Sequence, residues 1–138
     1  VCSGPGLINI YNFLRQSSGA SEPGWLTTQL AGEDPPAAIS RAALERRDPV
    51  CVRSLEMFVD IYAAEASNLA LKMRALGGVY VGGGIAPKIL PALEDGRFVR
   101  SFRDNGRMSE VLGKIEIKVS LNPAAALIGA AHLAAELI

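Results

Sequence analysis

The stretch Gly77-Gly78-Val79-Tyr80-Val81-Gly82-Gly83-Gly84-Ile85-Ala86-Pro87-Lys88 constrains this chain more than any other. It reads as a helix end, a buried strand, a glycine turn and a helix start. Gly77 follows a long apolar-periodic run ending at Leu76, which predicts a left-handed helix cap there. Val79, Tyr80 and Val81 are β-branched or aromatic, in a run too short for a helix. The three glycines that follow permit positive φ and carry no Cβ to hold a ligand away. Ala86-Pro87 reopens a helix, since proline is tolerated in a first turn. A strand end, bare backbone amides and a helix N-terminus therefore fall in one place. That arrangement suits a nucleotide or another anionic or planar ligand. It is neither G-x-G-x-x-G nor a Walker loop. On these residues alone, a tight turn with no ligand fits as well.

The chain has 138 residues, enough for one domain with a core. Its 14 basic and 14 acidic residues balance to a net charge of zero, and the basic ones are scattered apart from Arg46-Arg47. This excludes the electrostatic footprint of a nucleic-acid binder. Cys2 and Cys51 are far apart and lack metal-type spacing, so they read as free thiols of a reducing, cytoplasmic compartment. No apolar run reaches membrane-spanning length, and no basic-then-apolar leader is present. The chain opens on Val1-Cys2-Ser3 and runs directly into a turn, so it is expected to be a piece of a longer protein.

Ser3-Gly4-Pro5-Gly6 forms a turn in which Ser3 can cap a helix through about Gln16, with Leu7, Ile8, Ile10, Tyr11, Phe13 and Leu14 at helical spacing. Residues 17–24 are a loop, with Trp25 as its expected anchor. Glu33-Asp34-Pro35-Pro36 starts a short helix through about Glu45, with Ile39 and Leu44 as its apolar face. Asp48-Pro49 is a cap followed by proline, and no proline or glycine interrupts the helical period from there to Leu76. Asn68 within that helix is expected to face solvent or a neighbouring loop rather than a ligand. Pro91 predicts a kink or early end to the helix after the glycine turn. Phe98, Val99, Phe102 and Met108 suggest short helices divided by the turn Asp104-Asn105-Gly106. Ile115, Ile117 and Val119 alternate with Glu116, Lys118 and Ser120, as in a half-exposed strand. Asn122-Pro123 opens an alanine-rich helix to Ile138, which carries the lone histidine, His132.

Six pieces of the chain, in order, resemble the C-terminal part of bacterial-type glucokinases. They are Ser3-Gly4-Pro5-Gly6-Leu7, Asn68-Leu69-Ala70-Leu71, the stretch from Gly77 to Pro87, Gly106-Arg107, Asn122-Pro123 and Ala131-His132-Leu133. The resemblance implies a helix-rich α/β fold, the C-terminal portion of the large domain of the ribonuclease H-like, actin-like ATPases. Residues 1–138 would be a single partial domain on the nucleotide side. The parent activity implied is transfer of a phosphoryl group from ATP, with Mg²⁺, to the 6-hydroxyl of glucose. The parent would be a homo-oligomer in the cytoplasm, with no nucleic-acid or membrane partner. The resemblance implies adenosine contacts at Gly82, Gly83, Gly84 and Ile85, with Lys88 nearby, and at Ser3 and Gly4 from the other side. His132 sits one residue off the usual spacing of its segment and reads as a packed or surface histidine.

The family's phosphate loop of Asp-x-Gly-Gly-Thr type, its Asn-Asp pair with the catalytic aspartate, and its Glu-x-x-His sugar motif do not occur between Val1 and Ile138. No catalytic and no metal-binding residue is therefore expected on this chain. Two other readings remain open: a helical interaction module whose glycine turn is structural, and a sugar-responsive regulator that reuses a kinase domain.

Overall fold

The computed structural model describes residues 2–32 and 34–137. Val1, the Glu33 assigned to the start of the third helix, and Ile138 at the end of the last one lie outside the described residues. The order is α1 (Gly4–Ser18), α2 (Gly24–Gly32), α3 (Pro35–Leu44), α4 (Pro49–Lys72), β1 (Val79–Val81), a 3₁₀ turn (Ala86–Ile89), α5 (Leu90–Glu94), α6 (Arg97–Arg103), a second 3₁₀ turn (Gly106–Met108), α7 (Ser109–Gly113), β2 (Ile117–Val119) and α8 (Ala125–Glu136). The fold is helix-rich α/β, as expected.

The 24 residues of α4 form the spine. Asp48 caps it through its side chain, with Cys51 N–H donating to Asp48 Oδ1 at 2.8 Å, and Pro49 occupies the first turn. Cys51, Ser54, Leu55, Phe58, Val59, Ala63, Ser67 and Ala70 recur at helical spacing and are buried, so one stripe of α4 faces the core along its whole length. Helices α1 and α3 pack on α4, and α6 packs on it as well. Phe58, Tyr62, Phe98 and Phe102 form a chain of ring contacts between α4 and α6, with centroids 5.8–6.5 Å apart. Asn68 is exposed on the far side of α4.

The end of α4 differs from expectation. The helix stops at Lys72 rather than running to Leu76, and the left-handed residue is Arg74 at φ 51°, not Gly77. Ala75 N–H reaches back to Ala70 O at 2.9 Å, and Arg74 N–H to Leu71 O at 3.1 Å. This closes the last turn in the Schellman manner with an arginine where glycine is usual. The glycine that does take positive φ is Gly78, at 130°, where the chain turns into β1. There a Cβ would sit 3.4 Å from the Glu116 carbonyl oxygen.

β1 and β2 pair in parallel, Val79 with Ile117, Tyr80 with Lys118 and Val81 with Val119. The second strand begins at Ile117 instead of Ile115, because Ile115 is buried beneath the end of α7. The connection between the strands is helical, as parallel pairing requires. The divided helices around Asp104-Asn105 and the early proline of α5 agree with the sequence reading.

Two further corrections concern the N-terminal half. Residues 24–32 form a helix, α2, where no element was expected, and its anchor is Leu26, fully buried, rather than Trp25. Trp25 is half-buried, with the Arg47 guanidinium stacked 4.1 Å above its ring. On α3, Ile39 is buried as expected, but Leu44 is 36% exposed and Ala38, Ala42 and Ala43 take its place in the core. His132 is exposed on α8, a helix with no buried residue.

The loop between α1 and α2 is held by Glu22, which accepts from Tyr11 Oη at 2.9 Å, from Thr27 Oγ1 at 2.8 Å, and from Arg15. Partial burial works against the Glu22 carboxylate. The hydrogen bonds from Thr27 and Tyr11 and the charge of Arg15 outweigh it and hold the carboxyl below the ordinary range. A depressed carboxyl contributes stability that is present above its unfolded value and is lost as the pH falls through the folded one. The wild type should therefore lose stability as the pH falls below about 4.5, and Glu22→Gln should show a flatter acid limb in urea melts. Identical limbs would remove Glu22 as the loop's tie. Leu26→Ala should cost about 2–5 kcal/mol, and a smaller loss than for Trp25→Ala would return the anchor to Trp25.

Candidate functional site

A cavity of about 180 Å³ opens where the starts of α1 and α3 meet the middle of α4 and the 3₁₀ turn after β1. Ser3, Gly4, Pro5 and Leu7 line it from α1; Asp34, Pro36, Ala37 and Ser40 from α3; Leu55 and Phe58 from α4; and Ile85, Lys88 and Ile89 from the turn. Its volume is below the ~300–1,000 Å³ of complete small-molecule pockets. It therefore takes a flat group of limited size rather than a whole polyanionic ligand.

Each wall follows from local sequence. Ser3 is extended (φ −150°, ψ 166°), and its Oγ accepts from Gly6 N–H at 3.2 Å, which starts α1 at the cavity edge. Asp34 precedes Pro35-Pro36 and starts α3, with Ala37 and Ala38 N–H bonded to its carbonyl. Its carboxylate makes no capping bond to its own helix, so it stays available at the mouth. The two helix starts abut closely: a Cβ on Gly4 would lie 3.1 Å from Pro36 Cγ. Glycine at this position is what lets α1 and α3 approach. Ile85 O accepts from Lys88 N–H at 2.9 Å and Ile89 N–H at 3.2 Å, which folds the turn under the cavity.

Two helix N-termini thus point to one opening, with the exposed Lys88 ammonium on the opposite rim. Unsatisfied amides and helix dipoles at such ends favour an anion, and Lys88 forms no ion pair among the described residues. The interior is apolar, through Leu7, Leu55, Phe58 and Ile89. The site therefore offers an apolar slot with a polar rim that is positive on one side, suited to a planar ring with an anionic tail.

Of the seven sequence-predicted site residues, Ser3, Gly4, Ile85 and Lys88 line this cavity. Gly82 instead lines a second groove of about 440 Å³, between α4 and β1. Gly83 and Gly84 are exposed at the strand end beside Ile85 and line neither. Gly83 has φ 97°, and a Cβ there would meet nothing within 4 Å. Sequence reasoning missed Asp34, Pro36, Ser40 and Phe58. The Asp34-Pro35-Pro36 start was legible, but not its contact with Gly4.

Among the described residues, no group of three His, Cys, Asp or Glu side chains could hold a metal ion. Asp34 is the lone carboxylate among the described residues of the cavity wall. These residues do not fit a Mg²⁺ site. No helix among the described residues is long and apolar enough to cross a membrane. The strongly shifted Cys51 thiol, pushed up to about 12 by burial and the neighbouring Asp48 charge, lies outside the cavity and serves the core.

The family model described as Glucokinase matches residues 1–137. A glucokinase from Nostoc punctiforme is 45% identical over 148 aligned positions, which cover 99% of this chain and 43% of that protein. A glucokinase from Mesorhizobium japonicum is 38% identical, over 97% of this chain and 37% of the relative. In three dimensions the fold is similar to the crystal structure of a glucokinase from an Antarctic psychrotroph, with a TM-score of 0.75 and 32% identity, covering 94% of this chain and 37% of the other. The chain thus spans less than half the length of the relatives it matches.

The positive φ of Gly83 yields a test of the turn itself. Gly83→Ala and Gly83→Val should each lower stability by about 1–3 kcal/mol through backbone strain. Valine should cost more than alanine, because a β-branched side chain tolerates positive φ less well. A loss well above about 3 kcal/mol for alanine in chemical denaturation would mean that the turn is packed and not open.

Proposed function

The chain belongs to the glucokinase family, and from that premise we propose that it is the nucleotide-side part of the large domain of an ATP-dependent glucokinase. The parent would transfer the γ-phosphoryl group of ATP to the 6-hydroxyl of glucose, in the cytoplasm. The large domain would be of the ribonuclease H-like, actin-like ATPase type, and residues 1–138 a single partial domain of it. The observation that carries the reading is the meeting of Ser3 and Gly4 with Ile85 and Lys88 around one apolar cavity. These residues are 81 to 85 positions apart in sequence, yet they frame a slot of the size of a base with helix N-termini at its mouth.

In this reading the adenine enters between Leu7, Phe58 and Ile89. Gly83 and Gly84, next to Ile85, leave the backbone at the rim bare, and Lys88 neutralises part of the phosphate charge; Gly82, on the neighbouring groove, would approach the nucleotide only through its backbone. The base that takes the glucose proton, the phosphate loop and the ligands of Mg²⁺ would belong to other parts of the parent. Catalysis would then be absent from this chain alone, and nucleotide binding would be weak. ATP should bind near millimolar, about −4 kcal/mol, with amide shifts at Gly4, Ile85 and Lys88 in NMR titrations. Lys88→Ala should weaken it further. Shifts confined to other residues, or ATP-dependent phosphorylation of glucose by the pure chain, would overturn the assignment.

Self-association fits the same reading. Among the described residues the sheet has two strands, fewer than a stable sheet needs, and its outer edges are unpaired. Leu127, Ile128 and Leu133 of α8 are exposed together. Light scattering across a range of concentrations should show dimers or larger species. A monodisperse monomer with a cooperative melt at every concentration would show that this unit completes its own core.

A further inference from the structure

Among the described residues of the cavity wall, Ser40 is the one polar side chain that is more than nine-tenths buried, at 8% exposure. Its Oγ donates to the carbonyl of Ala37, one helical turn back, at 3.1 Å. A serine hydroxyl has one hydrogen and two lone pairs. With the hydrogen given to Ala37, Ser40 presents an acceptor and no donor. Its neighbours on the wall, Leu7, Leu55, Phe58 and Ile89, offer no alternative partner. A buried acceptor in an apolar slot favours a ligand that brings an N–H to it, and rejects one that brings a second acceptor.

The purines differ at that point. Adenine carries a 6-amino donor, whereas hypoxanthine and guanine carry a 6-oxo acceptor. Resting on the nucleotide reading above, we propose that Ser40 Oγ accepts a hydrogen bond from the 6-amino group of adenine and so selects adenine over 6-oxo purines. A 6-oxo base would place two acceptors face to face, or else require Ser40 to release Ala37 and turn its hydrogen outward. Either way one buried hydrogen bond is lost. The base enters edge first, with the 6-position innermost and the ribose toward Asp34 and the open rim.

The test uses this chain with ATP and inosine triphosphate, which differ in the 6-substituent and in the hydrogen that hypoxanthine carries on N1, in parallel NMR titrations. ATP should bind about three- to tenfold more tightly than inosine triphosphate, the worth of one neutral hydrogen bond. In Ser40→Ala the ratio should fall to about one, through weaker ATP binding and relief of the acceptor clash with inosine triphosphate. Alanine is the better helix former, so α3 should be retained, and an unchanged melting temperature checks it. Ser40→Cys keeps the bulk but offers a weak acceptor, and should also lose the ratio, which separates hydrogen bonding from cavity filling. If ATP shifts Gly4, Ile85 and Lys88 but the ratio survives in Ser40→Ala, or is already one in the wild type, Ser40 has no such role and the nucleotide site stands. If neither nucleotide shifts those residues, the nucleotide site itself falls, and Ser40's role with it.

Discussion

The structure depends on the continuous burial of one stripe of α4. From Cys51 to Ala70 that stripe supplies the common surface against which α1, α3 and α6 are laid. Its composition explains how so many elements meet on one helix. Cys51, Ser54, Ala63, Ser67 and Ala70 are small, so neighbouring backbones come near, while Leu55, Phe58 and Val59 fill the centre. Each buried hydroxyl on the stripe is satisfied. Ser54 Oγ donates to Val50 O at 2.6 Å, and Ser67 Oγ accepts from Asn105 Nδ2 at 3.0 Å. Among the described residues, no buried side-chain polar atom lacks a partner.

Polar ties fix the angle at which the C-terminal elements sit on that spine. Asp60 accepts from Arg97 Nη1 at 2.8 Å and from Ser101 Oγ at 2.6 Å, so one carboxylate holds two positions of α6. Arg97 also reaches Glu56, at 3.3 Å, one turn earlier on α4. Partly exposed pairs of this kind contribute little stability by themselves. Their value is directional: together with the ring contacts of Tyr62, Phe98 and Phe102, they leave α6 one seating. That seating positions α5, which packs on both α6 and the 3₁₀ turn at the floor of the cavity.

Most of the fold was legible because local signals were strong. Asp48-Pro49 fixed the start of α4, and the Val79-Tyr80-Val81 run fixed β1. The failures share a physical origin in contacts that sequence periodicity does not encode. Gly24 and the threonines at 27 and 28 give α2 a weak intrinsic helical pattern, and Leu26 makes it a helix by burial. Arg74 takes the left-handed cap because the chain must turn toward β1 three residues before the first glycine, Gly77. Half the candidate site was visible in the same way. Ser3, Gly4, Ile85 and Lys88 carry turn and helix-start signatures, whereas Ser40 and Phe58 look like ordinary core positions until α1, α3 and α4 are brought together.

The parallel pairing of β1 with β2 bears on the order in which this chain assembles. Val79 meets Ile117 only after the 3₁₀ turn, α5, α6 and α7 have been laid down between them. Closing so long a loop costs entropy before any ladder bond is made. The contacts of α6 with α4 close a loop of similar length, as between Asp60 and Ser101, but involve far more surface. With three ladder pairs to offset that cost against the rings and ion pairs that seat α6, the sheet is expected to close upon a helical unit that is already folded. The glycine turn at the end of β1 takes its final shape with it.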